Sequence, residues 1–249
     1  MGSFQKPTQM IPQKATPRRT LLLLLLLLLA VFLCSFPLGR YGVPVGEVVR
    51  ILLSRLLPIA RTWTPEMETV VLNIRLPRIV MACLVGAALS AAGASYQGVF
   101  QNPMASPDIL GASNGAALGA ALAILYGLSA RAVTLSAFVL SLAAVLAVFL
   151  IAKAAPGLRV VNLILAGIMV SSLFSAATSF VKLVADPTNE LPAITYWLMG
   201  SLSGARKSDV LFLLPPIVIG LIPLVLLRWR INLLTLGDEE ARALGVNTN

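Results

Sequence analysis

The chain has 249 residues, 58% of them hydrophobic and 12% charged, with a formal net charge of +9, two cysteines and no histidine. Together with a mean hydropathy of +0.90, that balance excludes an ordinary water-soluble domain. The positive charge does not indicate nucleic acid, because Lys and Arg stand at the ends of apolar runs rather than in one basic stripe.

Residues 1–19 carry Lys6, Lys14, Arg18 and Arg19 and no acid, so the positive-inside tendency predicts a cytoplasmic N-terminal tail. The run Leu21–Leu29 resembles the apolar core of a secretory signal. No small-residue cleavage site follows it, and Leu33-Cys34 lacks the small residue that a lipoprotein site places before its cysteine. An uncleaved first span over 20–38 is predicted. Further spans, each needing about 20 apolar residues, are predicted at 76–100, 109–128, 131–152, 161–183 and 209–227. An even number of spans returns the C-terminus to the cytoplasm, where Lys153, Arg159, Arg228 and Arg230 then also fall. The predicted organisation is a tail over 1–19, a transmembrane domain over 20–229 and a cytoplasmic segment over 230–249. Cys34 and Cys83 lie within apolar segments as small hydrophobes and have neither disulfide nor metal-ligand spacing.

Two segments between spans are predicted outside the cell. The first, 39–75, carries Arg40, Arg50, Arg55, Arg61 and Arg75 against Glu47, Glu66 and Glu68, an arginine excess that runs against the positive-inside tendency. Within it, 46–57 has apolar residues at helical spacing, which predicts a short helix lying on the membrane surface. The second, 184–208, has Pro and Gly breaks around Ile194–Met199 and predicts a short helix or re-entrant turn.

Small residues recur at every fourth position as Gly86, Ser90, Ala94, Gly98 and as Gly111, Gly115, Gly119, Ala123. Such faces let helix backbones approach closely; they serve either packing or the lining of a wide passage. Ser171, Ser175 and Ser179 share one helical face, either bonding to carbonyls one turn back or lining a solute path. No acid lies in the interior of any predicted span beyond its flanking ends, which disfavours ion-coupled transport and membrane-embedded hydrolysis or metal chemistry. Gly200–Ser208 lacks the spacing of a phosphate loop, so this chain is not predicted to bind ATP.

Residues 75–115 then show a connected set of motifs. Arg75-Leu76-Pro77-Arg78 is followed by Val85-Gly86-Ala87-Ala88-Leu89, by the stretch Gln101-Asn102-Pro103-Met104-Ala105-Ser106-Pro107-Asp108-Ile109-Leu110-Gly111, and by Ser113-Asn114-Gly115-Ala116. Leu165-Ala166-Gly167, Trp197-Leu198-Met199-Gly200-Ser201-Leu202 and Leu236-Gly237-Asp238-Glu239-Glu240-Ala241-Arg242-Ala243-Leu244-Gly245-Val246 continue the pattern. In this order the set closely resembles the FecCD-type permeases of type II ABC importers. The resemblance implies an all-α polytopic membrane fold with about ten spans of about 20 residues each, so that this chain would stop about four spans short. It also implies a homodimer, a separate cytoplasmic ATPase on each subunit, an external substrate-binding protein, and a ferric siderophore, haem or cobalamin as the solute. No resident cofactor is implied.

The resemblance assigns site residues as well. Arg75 and Arg78 would meet acidic residues of the binding protein. At the start of the predicted second span, both would oppose the helix dipole and the positive-inside tendency, which is consistent with an acidic partner. Anchoring to lipid phosphate is the alternative. Leu236, Gly237, Asp238, Glu239, Glu240, Ala241, Arg242, Leu244 and Gly245 would form the coupling segment that sits in a cleft of the ATPase, with a solvated surface helix as the alternative. Val160 and Val161 would form a cytoplasmic gate closed by apolar packing. Competing functions are a small-solute channel, a substrate-capture component without ATPase coupling, and a membrane scaffold.

Overall fold

The computed structural model describes residues 18–245, so most of the predicted N-terminal tail and the end of the predicted coupling segment lie outside the described residues. Regular structure among the described residues is entirely helical: α1 (Arg18–Cys34), α2 (Val45–Leu53), α3 (Pro65–Val99), α4 (Ala112–Leu125), α5 (Ala130–Ala154), α6 (Arg159–Val184), α7 (Glu190–Met199), α8 (Lys207–Leu234) and α9 (Asp238–Ala243). This is the all-α polytopic class expected. The helices α3, α5, α6 and α8 are long and apolar enough to cross a membrane. The other two predicted spans are shorter, with 17 residues in α1 and 14 in α4. Gly111 adopts a left-handed φ of 73° and splits the predicted 109–128 run into a 3-10 turn at Pro107–Leu110 and the short α4. At about 1.5 Å rise per residue, α4 falls short of about 30 Å of hydrocarbon.

The start of the second span moves by more than two helical turns. Thr64 caps it, accepting a hydrogen bond from the Met67 N–H at 3.4 Å, and Pro65 follows at the first helical position with Glu66 and Glu68 in the first turn. Pro77, read from the sequence as opening a helix, lies inside one. It is preceded by a π-helical stretch, Val70–Arg75, in which the Leu76 N–H bonds back to the Val71 carbonyl. A wide turn is a recognised way for a helix to accommodate a residue without an N–H. In α8, Pro215, Pro216 and Pro223 are likewise held within a helix of 28 residues, as transmembrane helices tolerate.

The chain divides between Ile79 and Val80 into two compact units. In the first, Phe36, Val43, Val48, Ile51, Trp63, Val71 and Leu72 form a buried cluster. Val48 and Ile51, spaced three apart on α2, turn into that cluster. The predicted surface helix therefore packs part of its apolar face against its own chain rather than against lipid.

In the second unit, α4, α5 and α6 pack closely. A Cβ on Gly115 would lie 2.5 Å from the Leu140 carbonyl oxygen, and one on Gly119 would collide with the Ser136 carbonyl. Ser136 Oγ donates to the Gly119 carbonyl at 2.8 Å. Glycine is required there because α4 and α5 touch backbone to backbone, where dispersion and hydrogen bonds hold helices together. Ala144, Val148 and Ala152 of α5 meet Ala166 and Val170 of α6 in a second buried layer. The α5–α6 turn is closed by Asn162 Nδ2, which donates to the carbonyls of Ala155 at 2.9 Å and Pro156 at 3.3 Å.

Candidate functional site

The arginine-rich segment resolves into internal pairings. Glu68 accepts from Arg55 Nη2 and Arg61 Nη2, each at 2.9 Å, and from Trp63 Nε1 at 3.2 Å. Glu47 accepts from Arg50 Nη1 at 3.0 Å and from the Thr62 hydroxyl at 2.8 Å. These pairs are largely exposed, so each contributes at most about 1 kcal/mol; their effect is to fix how the loop returns over α2. Three of the five arginines that the sequence left unexplained are placed by these acids.

Arg75 is placed differently. It is 7% exposed, and its guanidinium donates to the carbonyls of Phe36 and Tyr41. Those carbonyls belong to the irregular stretch after α1, which has no ladder of its own to satisfy them. Gly39, at φ 154°, leaves room for the guanidinium: a Cβ there would stand 2.6 Å from Arg75 Nη2. Two expectations are thereby corrected. Arg75 and Arg78 lie within α3 rather than at a helix start, so the argument from an unfavourable dipole does not hold. Arg75 is also not an exposed charge, because it ties its own chain together. Arg78, one turn further along α3, is half-buried.

The predicted serine face lies on α6. Ser171 is half-buried, with its Oγ 2.7 Å from where a Cβ on Gly111 would stand. Ser175 and Ser179 are exposed, and Ser179 Oγ donates to the Ser175 carbonyl at 3.0 Å. Thr178 is buried and bonds back to the Phe174 carbonyl at 2.9 Å. Gly167 on the same helix has the Ile109 carbonyl directly against it, so Leu165-Ala166-Gly167 marks where α6 meets the 3-10 turn. The two small-residue stripes also part company. Gly111, Gly115 and Gly119 are packing contacts. Gly86 has nothing within 4 Å of its Cβ direction, whereas a Cβ on Gly98 would lie 3.1 Å from Ile231.

Val160 and Val161 occupy the first turn of α6, Val160 half-buried and Val161 exposed. Beside them a groove is lined by Phe149, Ala152, Lys153, Gly157 and Asn162. After α8 the chain turns at Gly237, φ 119°, into α9 and leaves it at Gly245, φ 83°. Leu236 and Leu244 are exposed, but Ala241 is 0% exposed. Ala241, one of the residues that the resemblance assigns to the coupling segment, thus packs within its own chain. Arg242 and Glu240 lie on the exposed side of the short helix.

Residues 26–249 match the FecCD transport family. The chain belongs to that family. Within it, the chain is similar to the molybdate import system permease protein MolB of Haemophilus influenzae, 36% identical over 212 residues, covering 85% of this chain and 62% of MolB. It is 42% identical over 187 residues to the cobalamin import system permease protein BtuC of Halobacterium salinarum, covering 74% of this chain and 50% of that protein. Among solved structures it resembles an inward-facing ABC transporter provisionally assigned to the metal-chelate type, with a TM-score of 0.78 and 34% identity over 92% of this chain and 68% of the other. This FecCD chain thus has the type II importer permease fold and is a multi-pass membrane protein. It spans between half and two thirds of the length of these two curated relatives.

Proposed function

We propose that this chain forms the membrane-spanning path of a permease subunit in an ATP-driven importer for a metal chelate, haem or corrinoid. The observation that carries the proposal is the segment Leu236–Gly245. In a FecCD chain, a short helix set off by two left-handed glycines and presenting exposed Leu236 and Leu244 is a rigid, partly apolar element suited to seat in a cleft of an ATPase. The exposed Glu240 and Arg242 then border that apolar contact as a polar rim.

The same proposal places the N-terminus and α9 on the cytoplasmic side, with Val160 and Val161 closing the path near the start of α6 by apolar contact. Ser175 and Ser179 are exposed on α6 and suit a weakly interacting lining, with Ser171 recessed behind them. A second copy of the subunit would complete the path, and surrounding lipid would cover its outer helices. Docking of an external binding protein is proposed along the Arg75–Arg78 stretch of α3, where Arg75 is turned onto carbonyls of its own chain and Arg78 is half-buried. ATP hydrolysis would reside in the separate subunit, so this chain is not an enzyme. The cargo class spans more chemistry than the sequence suggested, because MolB is named for molybdate.

The test is reconstitution of the complete gene product with its ATPase and binding protein in proteoliposomes. ATP-dependent accumulation of ferric siderophore, haem, cobalamin or molybdate is the expected result. Passage of solute without ATP, or failure of any ATPase to associate, would favour a channel or capture component and sink the proposal.

A further inference from the structure

We propose that Gln101 is a positioning residue that latches the end of α8, and with it the coupling segment, to the loop after α3. It rests on the permease assignment made above and goes beyond it by naming the residue through which the coupling segment moves the rest of the chain.

Gln101 has φ 49°, the left-handed value found at no other non-glycine residue among the described residues. A residue with a Cβ is held there only when its surroundings over-determine it. Gln101 Nε2 donates to the carbonyl of Leu234 at 3.1 Å, across 133 residues of sequence. Leu234 is the last residue of α8, so its carbonyl is among those a helix end leaves without an intrahelical partner. The same oxygen accepts from the Gly237 N–H at 3.3 Å, the glycine from which α9 departs. One carbonyl therefore joins the loop, the helix end and the turn into the coupling segment.

The surrounding contacts make this junction rigid. A Cβ on Gly98 would lie 3.1 Å from Ile231 Cγ2 and 3.4 Å from Thr235 Cγ2, so the last turns of α3 and α8 lie against each other. From Gln101 the loop continues through Pro107, which lies 3.8 Å from the Cβ direction of Gly93, to Ile109, whose carbonyl abuts Gly167 of α6. Displacing α9 would pull on Leu234. The Gln101 amide passes that displacement to the loop, and the loop bears on α6, which begins at the proposed gate. Spatial continuity alone does not establish coupling, so the amide is the part to test.

Gln101→Leu keeps the backbone strain and roughly the size of the side chain but removes the donor. Gln101→Lys shares the strain and reach and restores one. In the complete transporter, solute accumulated per ATP hydrolysed should fall about fivefold in Gln101→Leu, as expected when a hydrogen bond to a helix-end carbonyl is lost, and return to within about twofold in Gln101→Lys. Assembly with the ATPase should be unchanged in both. In the purified chain, amide exchange at Thr235–Gly237 and Asn102–Ala105 should rise together in Gln101→Leu and not in Gln101→Lys. Equal stoichiometry and equal exchange in the two variants would overturn the latch. So would parallel loss of assembly, ATPase and uptake in both, which is the signature of a merely structural residue. A wild-type complex that never accumulates solute would instead refute the permease assignment, leaving the exchange comparison to decide whether the junction exists.

Discussion

Replacing Gly39 with alanine separates the internal role of Arg75 from a docking role. At φ 154° an alanine sits in a sparsely populated conformation, costing about 1–3 kcal/mol. Its Cβ would lie 2.6 Å from Arg75 Nη2 and 3.2 Å from Cζ, too close for the guanidinium to stay. Moving the guanidinium breaks at least one of its bonds to Phe36 and Tyr41, which for a charged donor costs about 1.5–3 kcal/mol. The expected loss is about 2.5–6 kcal/mol, large against the marginal stability of a folded unit. Gly46→Ala is the control, since nothing lies within 4 Å of its Cβ direction and alanine favours the helix there by about 0.5–1 kcal/mol. Stability would be read by SDS titration of the purified chain in mixed micelles, with Arg75→Leu completing a double-mutant cycle. With the guanidinium gone, Gly39→Ala should retain only its backbone cost, giving a coupling energy of about 1.5–3 kcal/mol. If Gly39→Ala costs as much in the Arg75→Leu background as in wild type, the guanidinium is not what glycine makes room for, and the proposed internal role fails.

Gly119 of α4 and Gly86 of α3, one from each small-residue stripe, should respond oppositely. Gly119→Ala, driven into the Ser136 carbonyl, should destabilise the chain by about 1–3 kcal/mol, whereas Gly86→Ala should be neutral or stabilising by up to about 1 kcal/mol in the same titration. In the coupling segment, Ala241→Asp buries a charge at a 0% exposed position and should lower thermal stability, while Leu244→Asp, at a 53% exposed position, should leave melting unchanged and abolish stimulation of the ATPase. Between α6 and α7, Asp186 accepts from the Thr188 hydroxyl and from the Thr188 and Asn189 N–H groups. These bonds, led by the Thr188 hydroxyl, lower its pKa. A carboxylate with a lowered folded pKa stabilises its turn above the ordinary aspartate value and loses that effect as pH falls through the folded value. Protection of the Thr188 and Asn189 amides, taken relative to the intrinsic exchange rate at each pH, should therefore fall as the pH drops below about 4, and in Asp186→Asn that protection should not change with pH.

The helices α5 and α6 were legible because each is one uninterrupted apolar run bounded by a basic or glycine break, so a local rule suffices. The start of α3 was also written in the sequence, as Thr64-Pro65-Glu66 with Glu68 behind it, but Pro77 offered a competing start twelve residues later. A proline signals a helix opening only when no earlier cap claims the segment, and the π turn at Val70–Arg75 shows how the earlier cap prevailed. The arginine excess of 39–75 looked like a message to an external partner because composition counts charges without showing which of them meet. Arg55 and Glu68 are brought together across 13 residues, and Arg75 reaches back across 39 to Phe36, distances over which no periodicity in the sequence carries information.

The glycine stripes divide along the same line. Spacing showed that Gly115 and Gly119 share a face, yet only the return of α5 against that face makes them indispensable, while Gly86 keeps the same spacing with open space before it. A small-residue repeat in such a chain therefore identifies a helix face that is able to pack closely, and whether it does so depends on a neighbour that the repeat does not encode. Gln101 is the sharper instance. It stood inside a recognised motif without a role, because its meaning lies in a carbonyl 133 residues away. That carbonyl sits where α8 hands over to the coupling segment, so the junction joins the part of the chain best marked by motif to the part proposed to receive the force of ATP hydrolysis.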